Sequence, residues 1–573
     1  MELSKRASGI ILAAIILLSV GISAFFAINK QGFHEDEILS YHLANSSYDI
    51  KTDGEWNTPS DFGKYVAATN HRFDYVNVYK NQIADKVHPP FYYIMLHTIC
   101  SFFPGVFSKY LGYTLNALML ALALIFLYLL CLRVTGRRPH SLIAAAGYGF
   151  SIAFMSAAVY IRMYTALTFF VLAFVYMTVK LYDTGSEAKI KEYIKLFFIA
   201  VFGMLTQYYF ALYALIAGVV YIVLQIWERN TKAVKRYLIT GALSVCASLA
   251  AYPYIIKNII GENRGVGLFG LDIAPETIFT YMWYKIVCYV KMLIKELFAG
   301  QTWLFILVTV IALGIFIYKH AVKGKKLTQK IWFLIAPGVV SFGLLSLVTP
   351  FNSDRYIMAS IPFISAMYTL AIVYALRHLF KTKGVYAAAA CTFVISAFAL
   401  MLVTPNYVYG TTDLYNTKTD SAVFMGTELK EWNKCIDKLM LYDDAMVINT
   451  GTMSKELPRM LDKFANDRGI ITNGKIGVLI DSFIAGASHD EGNAGMKVLT
   501  DEALGDRNEI TVYISILADS EGVIKYITDN TRLKNYELIE ADKEFDRYYN
   551  WYDYFTDTES YCNVYRFYAG GTQ

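Results

Sequence analysis

The feature that most constrains this chain is a series of apolar runs, each long enough to cross a bilayer. In hydrocarbon every backbone N–H and C=O must be satisfied within the segment, so such runs must form helices. Gly9–Ile28, following Lys5 and Arg6, is read as an uncleaved first span, being long for a signal-peptide core. Further spans are expected at Tyr110–Leu132, Ser141–Ala158, Met163–Leu181, Tyr193–Tyr208, Tyr209–Ile226 and Leu238–Ile256. Trp303–Tyr318, Ile331–Val348, Ile357–Leu376 and Val385–Val403 complete a set of about eleven. With 56% hydrophobic and 17% charged residues and a mean hydropathy of +0.38, the composition excludes an ordinary soluble globule.

Loop charge orients the set. With the N-terminus cytoplasmic, the inside loops carry Arg133/Arg137/Arg138, Lys189/Lys191/Lys195, Arg229/Lys232/Lys235/Arg236, Lys319/Lys323/Lys325/Lys326/Lys330 and Arg377/Lys381/Lys383. The short outside loops Tyr160–Arg162, Gln207–Tyr209 and Thr349–Tyr356 carry only Arg162 and Arg355. This positive-inside pattern holds if residues 88–103 lie along the surface instead of crossing. Ala274–Phe298, with Lys285, Lys291 and Lys295 interspersed, reads as a second interfacial helix on the outer face.

Beyond Pro405 the composition turns polar. Short strand-like runs at Ala445–Asn449, Ile476–Ile480, Ile510–Ile516 and Tyr561–Phe567 predict a mixed α/β domain over 405–573, outside the membrane. Residues 1–404 are then the transmembrane domain, with 29–109 its first outer loop and Asn406–Asp420 a linker. The seven cysteines show no CxxC or zinc-like spacing, and no Walker loop or GxGxxG stretch is present. Nothing in the sequence calls for a cofactor, decides a divalent-metal requirement or points to nucleic acid.

Once the topology is drawn, the polar residues capable of chemistry fall on one side. They are Asp36 and Glu37 after the first span, Asp85 and His88 before Pro89-Pro90, Arg162 and Tyr164, Gln207 and Tyr208, Lys257, and Arg355 with Tyr356. Carboxylates and cations around one outer cavity suit a base acting on an acceptor and cations holding a phosphate. Blander readings stand beside this one. Asp36 and Glu37 also fit a solvated loop face, His88 a helix start behind two prolines, and the tyrosines an aromatic belt. Arg162 and Arg355 also fit snorkelling anchors, and Asp85 a plain loop.

The acid pair in FHEDEILSYHLA, the HPPFYY stretch, Arg162-Met163-Tyr164, Gln207-Tyr208-Tyr209 and Asp354-Arg355-Tyr356 together resemble the polytopic GT-C glycosyltransferases. The nearest group is the protein O-mannosyltransferase and lipid A aminoarabinose transferase superfamily (family 39/83-like), over roughly residues 1–403. The resemblance implies inverting transfer from a polyprenyl-phosphate sugar to a glycan, lipid or protein acceptor at the outer leaflet of the plasma membrane. It implies Asp36 as base with Glu37 beside it, and Arg355, Arg162 and then Lys257 as cations for the leaving phosphate. His88 stands where some relatives have Lys, and Gln207 where many have Thr-His. Those departures bear on donor and acceptor identity. A transporter or flippase of a lipid-linked saccharide is the alternative, and should bury its ionisable groups at the midplane of broken helices.

Overall fold

The computed structural model describes residues 3–29, 35–46, 55–57, 66–260, 278–318, 328–349, 353–380, 445–450, 476–481, 501–504, 508–515, 520–548 and 558–570. It is that of a mostly helical, multi-pass membrane protein with one small mixed sheet. The chain divides into two compact units. One comprises Met1–Asn29, Gln82–Met95 and Gly112–Thr411; the other comprises Lys30–Asn81, Leu96–Leu111 and Thr412–Gln573.

The first unit is built of long apolar helices. Among the described residues six are long and apolar enough to cross a membrane, or up to eight if two bent pairs each count as one span. Lys5–Asn29, Lys109–Thr135, Tyr164–Thr184, Phe210–Trp227, Thr231–Ala251 and the stretch ending at Val348 match expected spans. Tyr193–Tyr208 becomes the shorter helix Ile190–Met204, because the chain turns at Leu205 and Gln207-Tyr208-Tyr209 form a loop. Ser141–Ala158 is two helices, Arg138–Gly149 and Ile152–Val159, bent by 55°. Ser151 causes the break locally, since its hydroxyl accepts from the Phe154 N–H at 3.2 Å and starts a new helix. Pro337 lacks an N–H, and the ladder around it widens into the π-helical turn Ala336–Val340. The expected span Val385–Val403 and the linker Asn406–Asp420 lie outside the described residues.

Close packing and ion pairs fix these helices. Helix Lys5–Asn29 packs on Arg138–Gly149 and Ile152–Val159, and Tyr164–Thr184 packs on Ile190–Met204 and Phe210–Trp227. A Cβ added at Gly147 would stand 2.3 Å from Thr369 Oγ1, so glycine there lets Ile361–Phe380 approach. At the C-terminal end of Tyr164–Thr184, Asp183 accepts from Arg133 at 2.7 Å and pairs with Lys330, while Lys180 bonds Glu192 at 2.8 Å. The basic loops thus tie together one end of the helix set.

In the second unit a six-stranded sheet runs in the order β1-β3-β2-β4-β6-β5. The strands are β1 (Glu55–Asn57), β2 (Ala445–Thr450), β3 (Ile476–Asp481), β4 (Glu509–Ser515), β5 (Asn535–Tyr548) and β6 (Thr558–Tyr568). Its centre, β3-β2-β4, is parallel, and β6 and β5 add antiparallel. All four expected strands are present. The long hairpin strand β5 was not foreseen, because charged residues such as Glu537, Glu540, Lys543 and Glu544 interrupt any apolar alternation along it. Nor was β1, which brings Glu55–Asn57 antiparallel onto Ile476–Val478 and so draws the first loop into this sheet.

Candidate functional site

The site in the first unit grows from the turn after helix Tyr75–Asp85. Asp85 Oδ2 accepts from the backbone N–H of Val87 at 3.2 Å, from that of His88 at 2.8 Å and from His88 Nδ1 at 2.8 Å. Lys86 takes a left-handed φ of 60° within this tight turn. Pro89 and Pro90 then fix the direction of the chain, and helix Phe91–Ser101 begins. Phe91 donates its N–H to Leu205 O at 2.8 Å and stacks its ring on Phe202 at 4.6 Å, which pins the turn to the 205–209 loop. The other ring nitrogen, His88 Nε2, lies 3.0 Å from Arg162 Nη2. His88 and Arg162 are both buried.

Asp85, His88 and Arg162 therefore form one chain of hydrogen bonds. Burial pushes the Asp85 carboxyl up. The neighbouring His88, with its hydrogen bonds, and then Arg162 outweigh that and hold it below the ordinary carboxylate value. Asp85, the residue that reads most plainly as loop, is the anchor of this group.

Arg162 sits in the turn between Ile152–Val159 and Tyr164–Thr184, and Asn116 builds that turn. Asn116 Nδ2 donates to Tyr160 O at 2.7 Å and reaches Ala158 O at 3.2 Å, so one amide holds two carbonyls at the helix end. Thr165 Oγ1 in turn donates to Asn116 Oδ1 at 2.9 Å. Asn116 was not on the list read from sequence. Its signal was a lone amide in the middle of a spanning run.

Arg355 lies on the 3₁₀ turn Asp354–Ile357 and donates from Nη1 to the Tyr160 hydroxyl at 3.1 Å. Its guanidinium stands 5.2 Å over the Tyr356 ring. Tyr356 meets Tyr164 edge-on at 6.3 Å and Tyr209 at 5.6 Å, and Tyr160 stacks on Tyr164. Tyr160 is common to both arginines, through its carbonyl, which accepts the Arg162 backbone N–H at 2.8 Å, and through its hydroxyl. The turn is held from below by Lys295, which donates to Asp354 Oδ2 at 3.2 Å, and by Lys285 and Tyr289, which both bond Thr349. Two of the three lysines of helix Ile278–Phe298, Lys285 and Lys295, are thus turned to this loop; Lys285 is buried, while Lys291 is exposed.

The remaining predicted residues scatter. Gln207 is buried and its Oε1 accepts from the Tyr208 N–H at 2.6 Å, so the side chain shapes its own loop. The Tyr208 hydroxyl shares a 3.1 Å hydrogen bond with the Asn258 amide, and Asp85 is among the charges acting on it. Lys257, on helix Ile255–Ile260, is exposed, and its buried neighbour Asn258 takes the inward place. Asp36 and Glu37 lie on helix Glu35–Asn45 in the second unit. Glu37 is fully buried, and the Asp36 side chain falls outside the described residues. Among the described residues no group of three or more His, Cys, Asp or Glu is placed to hold a metal ion.

No family model matches the chain, and no curated protein matches it. Among solved structures, it is similar to ArnT from Cupriavidus metallidurans bound to undecaprenyl phosphate, with TM-score 0.43 and 10% identity over 96% of this chain and 97% of that one. It is also similar to the archaeal oligosaccharyltransferase AglB from Archaeoglobus fulgidus, in complex with an inhibitory peptide and a dolichol-phosphate. There the TM-score is 0.44 and the identity 10%, over 88% of this chain and 69% of that one. A third similar structure is the arabinofuranosyltransferase AftD from Mycobacteria (mutant R1389S), with TM-score 0.40 and 11% identity, covering 100% of this chain and 42% of that one.

Proposed function

We propose that the chain is a membrane glycosyltransferase that moves a sugar, with inversion, from a polyprenyl-phosphate donor to an envelope hydroxyl at the outer face of the plasma membrane. The observation that carries this reading is that the Arg355 guanidinium bonds the Tyr160 hydroxyl in the same turn that carries the buried Arg162, at the end of the helix set opposite the basic loops. Helix Tyr164–Thr184 separates the two ends by its 21 residues, about 30 Å of rise and so roughly one hydrocarbon thickness. A guanidinium beside a tyrosine hydroxyl, with a second buried arginine in the same turn, suits a phosphate whose negative charge grows as the glycosidic bond breaks.

In this mechanism Asp36 takes the proton of the acceptor hydroxyl, and that oxygen attacks the anomeric carbon. The bond from that carbon to the phosphate oxygen breaks, and polyprenyl phosphate leaves with the electron pair. Arg355 and Arg162 hold the phosphate, and Tyr164, Tyr356 and Tyr209 wall the sugar. The acceptor is a glycan, lipid or protein, and the sheet-bearing unit is extracytoplasmic in this reading. The test is incubation of the purified chain with labelled polyprenyl-phosphate sugars and envelope acceptors, read by mass spectrometry. A labelled acceptor is expected. Movement of intact lipid-linked sugar across vesicles without transfer would favour the transporter and overturn the proposal.

A further inference from the structure

We propose that His88 is a positioning residue for Arg162, locked by Asp85 as the neutral Nδ1–H tautomer. The inference rests on the reading of Arg162 as a donor-phosphate ligand. Its structural half does not. A guanidinium can only donate, so Nε2, 3.0 Å from Arg162 Nη2, must be the acceptor. A carboxylate can only accept, so Nδ1, 2.8 Å from Asp85 Oδ2, must carry the hydrogen. Both requirements are met by one tautomer, and that tautomer is neutral.

The surroundings make this arrangement rigid. Asp85 also takes the Val87 and His88 backbone N–H groups, so the ring and the turn that carries it share one anchor. The Tyr93 ring meets the imidazole edge-on at 5.9 Å, and Pro89 and Pro90 restrict the chain beyond. A second proton on His88 would turn Nε2 into a donor facing a cation, and the bond to Arg162 would be lost. Among the described residues, the titratable or charged groups that face His88 are Asp85, Arg162 and Tyr93, with Tyr208 from the 205–209 loop close enough to Asp85 to interact with it. This separates His88 from a residue that touches substrate. It aims the cation that does so.

Two substitutions divide the roles of the two ring nitrogens. His88→Gln places an amide oxygen where Nε2 stands and keeps an acceptor for Arg162. His88→Asn places an amide N–H where Nδ1 stands and keeps only the bond to Asp85. The full chain is used, with selective ¹⁵N-histidine labelling and difference spectra against His88→Gln to assign the ring. The Nδ1–H signature is expected at neutral pH; an Nε2–H signature would overturn the tautomer whether or not the protein transfers sugar.

With polyprenyl-phosphate sugar as probe, His88→Asn should raise the donor KM about tenfold or more, and His88→Gln should stay within about fivefold of wild type. A defect equal in both variants would overturn the positioning role. Absence of transfer by the wild type with every donor would overturn the phosphate half of the inference along with the glycosyltransferase reading. The tautomer measurement stands apart from that result.

Discussion

Asp85 carries the sharpest energetic prediction, because three donors converge on one of its oxygens. Asp85→Ala leaves the His88 Nδ1–H and two backbone N–H groups without their acceptor, in a place where the aspartate side chain is only 11% exposed. Breaking a buried, hydrogen-bonded charge arrangement by removing one partner costs about 3–5 kcal/mol. Asp85→Asn keeps an oxygen for the turn but loses the charge, and should cost about 1–1.5 kcal/mol. In a thermal unfolding scan in detergent, Ala should lower the apparent Tm by about 2.5–4 °C and Asn by about a third of that.

The pH dependence follows from the direction of the Asp85 shift. Its folded value lies below the ordinary one, so its contribution is complete above the unfolded carboxyl value near ~3.9 and is lost as pH falls through the folded value. The gap between wild type and Asn should be no smaller at pH 5 than at pH 8, and should close only below about pH 4. A gap that closes between pH 5 and 7 would refute a carboxylate stabilised by His88 and Arg162. So would an Ala variant as stable as wild type.

Three further outcomes are expected. Asp36→Asn should leave the fold intact and reduce transfer by about 10² to 10⁴, as loss of a general base does; wild-type turnover in this variant would move the base elsewhere. Arg355→Ala should impair donor use more than acceptor use, with partial rescue by Arg355→Lys, since an ammonium cannot span two phosphate oxygens; full activity with Lys, or a defect confined to acceptor KM, would remove Arg355 from the phosphate. Gly203→Ala should destabilise by roughly 1–3 kcal/mol, because its new Cβ would stand 2.5 Å from the Phe210 ring and push the loop bearing Gln207 and Tyr209; unchanged Tm and activity would show that the ring moves freely.

The membrane helices were legible because hydrocarbon imposes its demand locally: a run such as Lys109–Thr135 needs no partner to declare itself. The strands of the sheet were legible for the same reason, as short apolar runs between turns. β5 was not, because its residues are charged and only its pairing with β6 makes it a strand. The three-residue strand β1 is too short for any period to show, and its partner β3 lies more than four hundred residues away in sequence.

The site divides along the same line. Residue type and position were enough to single out His88, Arg162, Arg355 and Tyr356, because polar groups among apolar segments must be accounted for. Their partners were not readable, since a hydrogen bond between His88 and Arg162 depends on how two turns 74 residues apart are brought together. Asp85 reads as loop in sequence because nothing near it says what it will hold; its role comes from the left-handed turn at Lys86, which folds the carboxylate back onto the residues that follow. Asn116 and Lys285 show the complementary case. Each is polar within an apolar helix, and each bonds backbone carbonyls of a turn that carries an arginine: Asn116 the turn of Arg162, and Lys285 the segment leading to Arg355. A polar residue within a spanning helix is therefore best read as a question about which chain end it secures, and that question is answered only by the fold.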